Sequence, residues 1–147
     1  YRSRLQLKPG VKAYLEKLKK EGIRIALATV SPPQFYIPAL TSGQIIDLFD
    51  DLSDASVVGG KKDGPDLYLH VAEKVGVPPR HCLVFEDTLH ALRGAAQGNF
   101  LTCAVYDASS KAQWSEMCLT ADFILTDFQT GPHRANDGAE RQSAHNT

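Results

Sequence analysis

The sequence predicts an α/β fold built on a Rossmann-like, doubly wound parallel sheet. Short apolar runs of strand length alternate with segments of helical spacing along most of the 147 residues. That alternation is typical of a parallel sheet with helices on both faces. Most of the strand-like runs are apolar throughout, as expected for strands that are buried on both sides. The length suits about one domain with a real core.

The first half of the chain contains two predicted helices and two predicted strands. The first helix follows Pro9 and ends before Gly22, because apolar residues recur between them at helical spacing. The apolar run Ile23–Thr29 predicts a strand, and the prolines near the start of Ser31–Leu40 suit the first turn of a second helix. A weaker strand is expected near Ala55–Val58.

The second half repeats the alternation and ends in a polar tail. From Gln129 onward there is no large apolar residue, so this segment cannot bury enough surface to offset its ordering entropy. We expect residues 1–128 to form one core domain and residues 129–147 to be a disordered tail. The predicted order is a helix over Pro65–Lys74, a strand over His81–Asp87, a helix over Thr88–Gly98, a strand over Leu101–Asp107, a helix over Ser109–Ala121 and a strand over Asp122–Phe128.

The composition argues against several classes of protein. The net charge is −1 and the basic residues are dispersed, so a nucleic acid or an anionic membrane has no basic patch to bind. No apolar run approaches the roughly 20 residues that a membrane-spanning helix needs. Three widely spaced cysteines without a CxxC pair predict neither a disulfide framework nor a zinc site. A reducing, cytoplasmic setting fits best.

Polar residues cluster at or near the predicted carboxyl ends of strands, where open parallel sheets bind ligands. Thr29-Val30-Ser31 lies where the first predicted strand ends and the chain turns into a helix. Hydroxyls and backbone N–H groups at a strand-to-helix turn can hold an anion. Glu86-Asp87 ends a later strand, where a hard cation such as Mg²⁺ would offset the repulsion between the acids. Lys61-Lys62 lies in a glycine-rich loop. Taken singly, these clusters also suit a helix cap, a buried acid beside a capping acid, and a solvated lysine pair.

The order of the clusters is more specific than any one of them. A strand ending in a hydroxyl residue, a loop lysine followed by Pro65-Asp66, and a strand ending in Glu86-Asp87 together resemble the haloacid dehalogenase-like (HAD) hydrolase superfamily. Within it, the chain resembles the sugar-phosphate phosphatases and β-phosphoglucomutase-like enzymes. The resemblance extends over about Leu5 to Phe128, and its matching segments are LKPGVKAYLEKLKKEGIRIALATVS, KKDGPDLYLHVAEKVGVPPRHCLVFEDTLHAL and CAVYD.

The resemblance implies a phosphate site on the first cluster and the lysine loop. Thr29 matches the hydroxyl that hydrogen-bonds the transferring phosphoryl group, with the N–H of Val30 beside it and Ser31 close to the same pocket. Lys62 matches the lysine that pairs with the phosphoryl group and the nucleophile. Its spacing to the following Pro-Asp dipeptide favours it over Lys61.

The resemblance also implies a magnesium site. Asp87 matches the principal carboxylate ligand of Mg²⁺, and Glu86 matches a second or water-mediated ligand. In one respect the chain departs from the pattern, because the proline that usually follows the lysine is replaced by Asp63.

One motif of the superfamily is not in this sequence. Its members carry D-x-D-x-T/V at the end of their first strand, where the first Asp attacks phosphorus and the second acts as general acid and base. No pair of aspartates in the chain has that spacing. In the superfamily the motif lies upstream, separated by a helical cap domain, and its strand is central in the sheet. We therefore interpret the chain as the carboxyl-terminal core of a longer enzyme, without the first central strand.

The expected function is that of a Mg²⁺-dependent phosphatase of a small phosphorylated metabolite, in which this chain alone is inactive. The sequence is also compatible with two alternative functions. One is a β-phosphoglucomutase-like phosphomutase, since the resemblance implies the same retained residues for it. The other is a non-catalytic Rossmann-like domain that binds phosphate or Mg²⁺. The resemblance also predicts that without the central strand the neighbouring strands expose edges, or that the two half-sheets close directly on each other.

Overall fold

The computed structural model describes residues 7–60 and 64–135, and these form two small sheets with helices packed on both faces. The predicted α/β class is confirmed. The helices are α1 (Val11–Lys20), α2 (Pro33–Ser42), α3 (Asp66–Val75), α4 (Leu89–Gln97) and α5 (Trp114–Thr120), and the strands are β1 (Ala26–Thr29), β2 (Asp51–Asp54), β3 (Leu83–Glu86), β4 (Leu101–Val105), β5 (Phe123–Leu125) and β6 (His133–Arg134).

The sheet is divided between β1 and β3. Strand β1 pairs in parallel with β2, while β3, β4 and β5 form a parallel set that β6 joins in antiparallel orientation. Among the strands in the described ranges, β1 pairs only with β2, and β3 pairs only with β4. The expectation that the half-sheets close directly on each other is therefore not met by any strand pair in this part of the chain.

Strand β2 corrects one sequence expectation. The weak strand predicted near Ala55–Val58 is wrong, because those residues form a 3₁₀ turn and the strand precedes them. The Asp54 carboxylate accepts the N–H of Ser56 at 2.9 Å, which ends the strand by local side-chain bonding. The preceding strand is polar in sequence, and Ser53 is buried with its hydroxyl donating to Asp51 at 2.6 Å. A polar strand gives little apolar periodicity, whereas the β-branched residues Val57 and Val58 in the turn have a high strand propensity.

The predicted tail also needs correction at its start. His133–Arg134 forms β6 against β5, with His133 opposite Ile124 and Arg134 opposite Phe123. The N–H of Ala135 also donates to the carbonyl of Asp122 at 3.1 Å. Backbone pairing of this kind does not depend on apolar side chains, so composition does not reveal it. The rest of the predicted tail, residues 136–147, lies outside the described residues.

Helices α1 and α3 each contact both half-sheets, on opposite faces. On the α1 side, Val11 of α1 and Leu27 of β1 pack against the same buried apolar cluster, and the ring of Tyr14 contacts Phe85 of β3 with 6.1 Å between centroids. On the α3 side, Ala28 and Val84 pack against one apolar cluster that α3 helps to form. Successive side chains of a strand point to opposite faces, which explains this alternation. The two helices therefore connect the half-sheets that no described strand pair connects.

A cleft lies between the two half-sheets, and the strands that border it are less buried than β4. Most of β4 is buried, whereas β1 and β3 are half-buried along their whole length. A cleft of about 810 Å³ opens between β1 and β3, with Leu27, Tyr36, Phe85 and Val105 among its apolar lining. In a continuous sheet these two strands would be as protected as β4. None of the helices in the described ranges is long and apolar enough to span a bilayer.

Candidate functional site

The carboxyl ends of β1 and β3 converge on the cleft. Thr29, Val30 and Ser31 line it from β1, and Glu86 and Asp87 line it from β3. Five of the six residues proposed from sequence therefore lie around one space, although 54 residues of sequence separate the two clusters. The sixth, Lys62, lies in residues 61–63, outside the described residues.

The turn after β1 is organised by the hydroxyl of Thr29. Its Oγ1 accepts the N–H of Ser31 at 3.1 Å, two residues further along. The helix-cap interpretation does not hold for this hydroxyl, because α2 begins after Pro32 and has no side-chain cap. The hydroxyl keeps its own hydrogen to donate. The exposed side chain of Val30 stands at the mouth of the cleft beside it.

The two acids sit where β3 passes into α4, and both are half-buried. The cap of α4 is Thr88, whose Oγ1 accepts the N–H of Ala91 at 3.2 Å. Neither carboxylate is therefore the cap of this helix. The strand ends at Glu86, so Asp87 is released from strict alternation, and both acids can reach the same cleft.

The donor set suits a hard divalent cation that retains water. Within the described ranges, no group of three or more His, Cys, Asp or Glu side chains could hold a metal. Zn²⁺ sites use at least three protein ligands, commonly nitrogen and sulfur donors. Mg²⁺ is commonly bound by one or two carboxylates, with waters and substrate phosphates completing its octahedron. Glu86 and Asp87 fit the second pattern.

Two interactions at the cleft were not predicted from sequence. Tyr68 of α3 donates its phenolic O–H to Glu86 Oε1 at 2.6 Å. Burial, the negative charge of Glu86 and this hydrogen bond raise the pKa of Tyr68 well above its usual value, so the phenol remains a donor. A tyrosine on the sheet-facing side of an amphipathic helix is the available signal, because a buried phenol usually finds a polar partner.

The second interaction joins the start of α1 to the end of β4. Lys8 Nζ lies 2.7 Å from Asp107 Oδ2 and donates to the carbonyl of Tyr106 at 3.2 Å. Hydrogen bonds from Lys8 and then from Ser109 hold the pKa of Asp107 well below its usual range. Lys8 also lines the cleft, but its ammonium is engaged by this pair.

Comparison with known proteins identifies the family. Residues 1–99 match the family described as haloacid dehalogenase-like hydrolase. This chain belongs to that family. The HAD resemblance inferred from the motifs is thereby confirmed.

The relatives of this HAD-like chain include a protein named as a phosphatase. It is 34% identical over 117 residues to protein CbbY of Rhodobacter capsulatus, covering 74% of this chain and 52% of that protein. It is 34% identical over 104 residues to a phosphoglycolate phosphatase of Nitrosococcus oceani, covering 70% of this chain and 46% of that protein. The chain thus spans about half the length of the curated relatives it matches.

A solved structure has a similar fold over most of this chain. The crystal structure of CbbY from Rhodobacter sphaeroides in complex with xylulose-1,5-bisphosphate superposes with a TM-score of 0.71 at 26% identity. The match covers 84% of this HAD-like chain and 55% of that one. The fold of this HAD-like chain therefore corresponds to part of a larger solved structure.

Proposed function

We propose that this chain provides most of the catalytic core of a Mg²⁺-dependent phosphatase that acts on a small phosphorylated metabolite. The observation that carries the proposal is the convergence of Thr29, Val30 and Ser31 with Glu86 and Asp87 on one cleft. Membership of the HAD-like hydrolases and relatives named as phosphatases support the reaction class. The proposed partner is the metabolite alone, without nucleic acid or membrane, in a cytoplasmic setting.

Each side chain has a defined task in this proposal. The hydroxyl of Thr29 and the N–H of Val30 orient the phosphoryl oxygens, with Ser31 next to them. Lys62 offsets their negative charge and that of the nucleophile. Asp87 and Glu86 would hold Mg²⁺, which supplies further neutralisation of charge on the phosphoryl group when it is bound. Catalysis of this kind depends on positioning and charge rather than on covalent work by these residues.

The nucleophile in this proposal comes from an extended segment seated between β1 and β3. Three observations support it: the chain contains no D-x-D-x-T/V motif, no strand pair within residues 7–60 and 64–135 joins the two half-sheets, and a cleft with apolar lining separates them. A strand placed there would pair in parallel with both neighbours, and its carboxyl end would reach the acids and Thr29. The chain alone therefore lacks a group that can attack phosphorus.

The direct test is an assay of the pure chain with p-nitrophenyl phosphate and Mg²⁺. We expect no turnover above the rate without protein. A polypeptide that also contains a D-x-D-x-T/V strand ahead of this chain should release phosphate from small phosphorylated metabolites, and EDTA should abolish the release. Turnover by the chain alone would contradict the missing nucleophile. Failure of the longer polypeptide on every such metabolite would contradict the phosphatase.

Two alternatives use the same residues. A phosphomutase would convert one sugar phosphate into its isomer with little release of inorganic phosphate, so product analysis of the longer polypeptide separates it from a phosphatase. A non-catalytic domain would bind phosphate or Mg²⁺ without turnover in any form. Calorimetric titration of the chain with each ligand, set beside the assay of the longer polypeptide, distinguishes that outcome.

A further inference from the structure

Tyr68 is fixed in position by its surroundings. It is 4% exposed and belongs to an apolar cluster with Ala72, Ala95 and Phe100. Its ring meets that of Phe100 edge to face, with centroids 6.0 Å apart. Packing of this density restricts the ring to one orientation, and the direction of the phenolic O–H follows from it.

The phenol meets Glu86 at the end of β3. The distance of 2.6 Å between the Tyr68 hydroxyl and Glu86 Oε1 is that of a hydrogen bond to an ionised carboxylate. Glu86 faces α3 because it alternates with Phe85, whose ring contacts Tyr14 on the other face. A carboxylate has about four acceptor positions, and Tyr68 occupies one of them. The bond therefore selects an orientation of Glu86 and leaves the group able to accept from other donors or a cation.

We propose that Tyr68 is a positioning residue for the cation site, holding Glu86 in the orientation in which it serves Mg²⁺ or a water bound to it. The inference rests on the proposed function, since it assigns a task to the residue behind one of the two acids. Groups that orient metal ligands from behind commonly contribute about 10- to 100-fold to metal affinity. Asp87, which follows the strand, is expected to be oriented by the turn instead.

The test is an NMR titration of the full chain with MgCl₂, with NaCl at matched ionic strength as the reference, following the amide signals of Glu86 and Asp87. Wild type should show saturable Mg²⁺ binding, and Tyr68→Phe should bind about 10-fold more weakly or worse. The matched control is Tyr14→Phe, which removes a phenolic hydroxyl from a half-buried tyrosine packed on Phe85 of the same strand. That variant should bind Mg²⁺ like wild type.

A double-mutant cycle separates positioning from a general loss of structure. In a chain that carries Glu86→Gln, adding Tyr68→Phe should cause no further loss of Mg²⁺ affinity, because the group through which Tyr68 acts has been neutralised. If Tyr68→Phe does not fold, a measurement on the wild-type chain tests the inference instead. With tyrosine labelled at the ζ-carbon, saturating Mg²⁺ should move the resonance of Tyr68 and leave that of Tyr14 unchanged.

The outcomes distinguish this inference from the proposed function. Absence of Mg²⁺ binding by wild type would overturn the cation site itself, and the role of Tyr68 with it. Saturable binding by wild type with equal affinity in Tyr68→Phe would overturn the role of Tyr68 alone. A further loss of affinity in the double variant would show that Tyr68 acts by some route other than Glu86, which also overturns the inference.

Discussion

At the scale of single residues, the cleft brings together groups whose chemistry depends on their neighbours. Thr29 accepts the N–H of Ser31, and Glu86 accepts the hydroxyl of Tyr68. The sequence alone predicts the functional residue types at the strand ends, because a hydroxyl residue followed later by a pair of adjacent acids is an uncommon order. The sequence does not predict the hydrogen bond from Tyr68 to Glu86, since 17 intervening residues separate the two partners in the chain.

The proposed roles predict a division between the two neighbouring lysines. In the longer polypeptide, Asp87→Asn or Lys62→Ala should lower kcat/KM by at least about 100-fold, because each removes charge stabilisation at the transferring phosphoryl group. Lys61→Ala is the matched control and should retain nearly full activity. Steady-state phosphate release at saturating Mg²⁺ measures all three. Near-full activity of Asp87→Asn or Lys62→Ala would refute the assignment of that residue.

The Lys8–Asp107 pair predicts a pH-dependent contribution to stability. The pKa of Asp107 is lowered in the folded chain, so the pair stabilises above the unfolded value of about 3.9 and loses that contribution as pH falls through the folded pKa. Lys8→Met keeps the apolar stem and removes the charge. It should lower the free energy of unfolding by about 0.5 kcal/mol between pH 5 and 8, since the pair is partly exposed.

Urea unfolding across the pH range measures the effect of Lys8→Met. The difference between wild type and variant should diminish below about pH 4, where Asp107 of the unfolded chain becomes protonated. A difference of the same size at every pH would show that the lost contacts of the lysine, rather than its charge, account for the effect.

At the scale of elements, the core is concentrated on the β4 side of the sheet. Leu89 and Leu92 of α4 pack with Ala104 of β4 and with Met117 of α5. The helical spacing of α4 is visible in sequence, and so are the apolar strands on either side of it. The sequence does not predict strands β2 and β6, because β2 is polar and β6 consists of two exposed residues paired with β5.

The packing of α4 predicts a contrast between two leucines. Leu92 is 0% exposed, so Leu92→Ala should lower the free energy of unfolding by about 3 kcal/mol through lost burial and a residual cavity. Leu119 is 88% exposed, and Leu119→Ala should change it by no more than about 0.5 kcal/mol. Urea denaturation of both variants measures the contrast. A similar loss in the two would contradict the location of the core.

At the scale of the whole molecule, two half-sheets are joined by helices rather than by strand pairing between β1 and β3. Tyr14 of α1 and Tyr68 of α3 contact β3 from opposite faces, through Phe85 and Glu86 respectively. Strands β1 and β3 remain half-buried along their whole length, whereas most of β4 is buried. We expect this chain alone to be only marginally stable.

Hydrogen exchange of the monomeric chain tests that expectation. Amides of Cys103–Val105 should be the best protected, whereas those of Ile25–Ala28 and Leu83–Phe85 should exchange faster because the cleft admits water to these strands. A peptide or fused segment that fills the cleft should slow exchange in both. Strong protection across both strands in the chain alone would count against marginal stability.

The sequence by itself determined the α/β class, the family and the residue types at the strand ends, because local periodicity and motif order are properties of the chain. The tertiary structure alone decided that Thr29 and Asp87 face one cleft, that Tyr68 holds Glu86, and that β1 and β3 are separated by a gap. These depend on contacts between residues far apart in sequence, and on a volume that no side chain in the described ranges fills. Such a volume has no local signature in any segment of the chain.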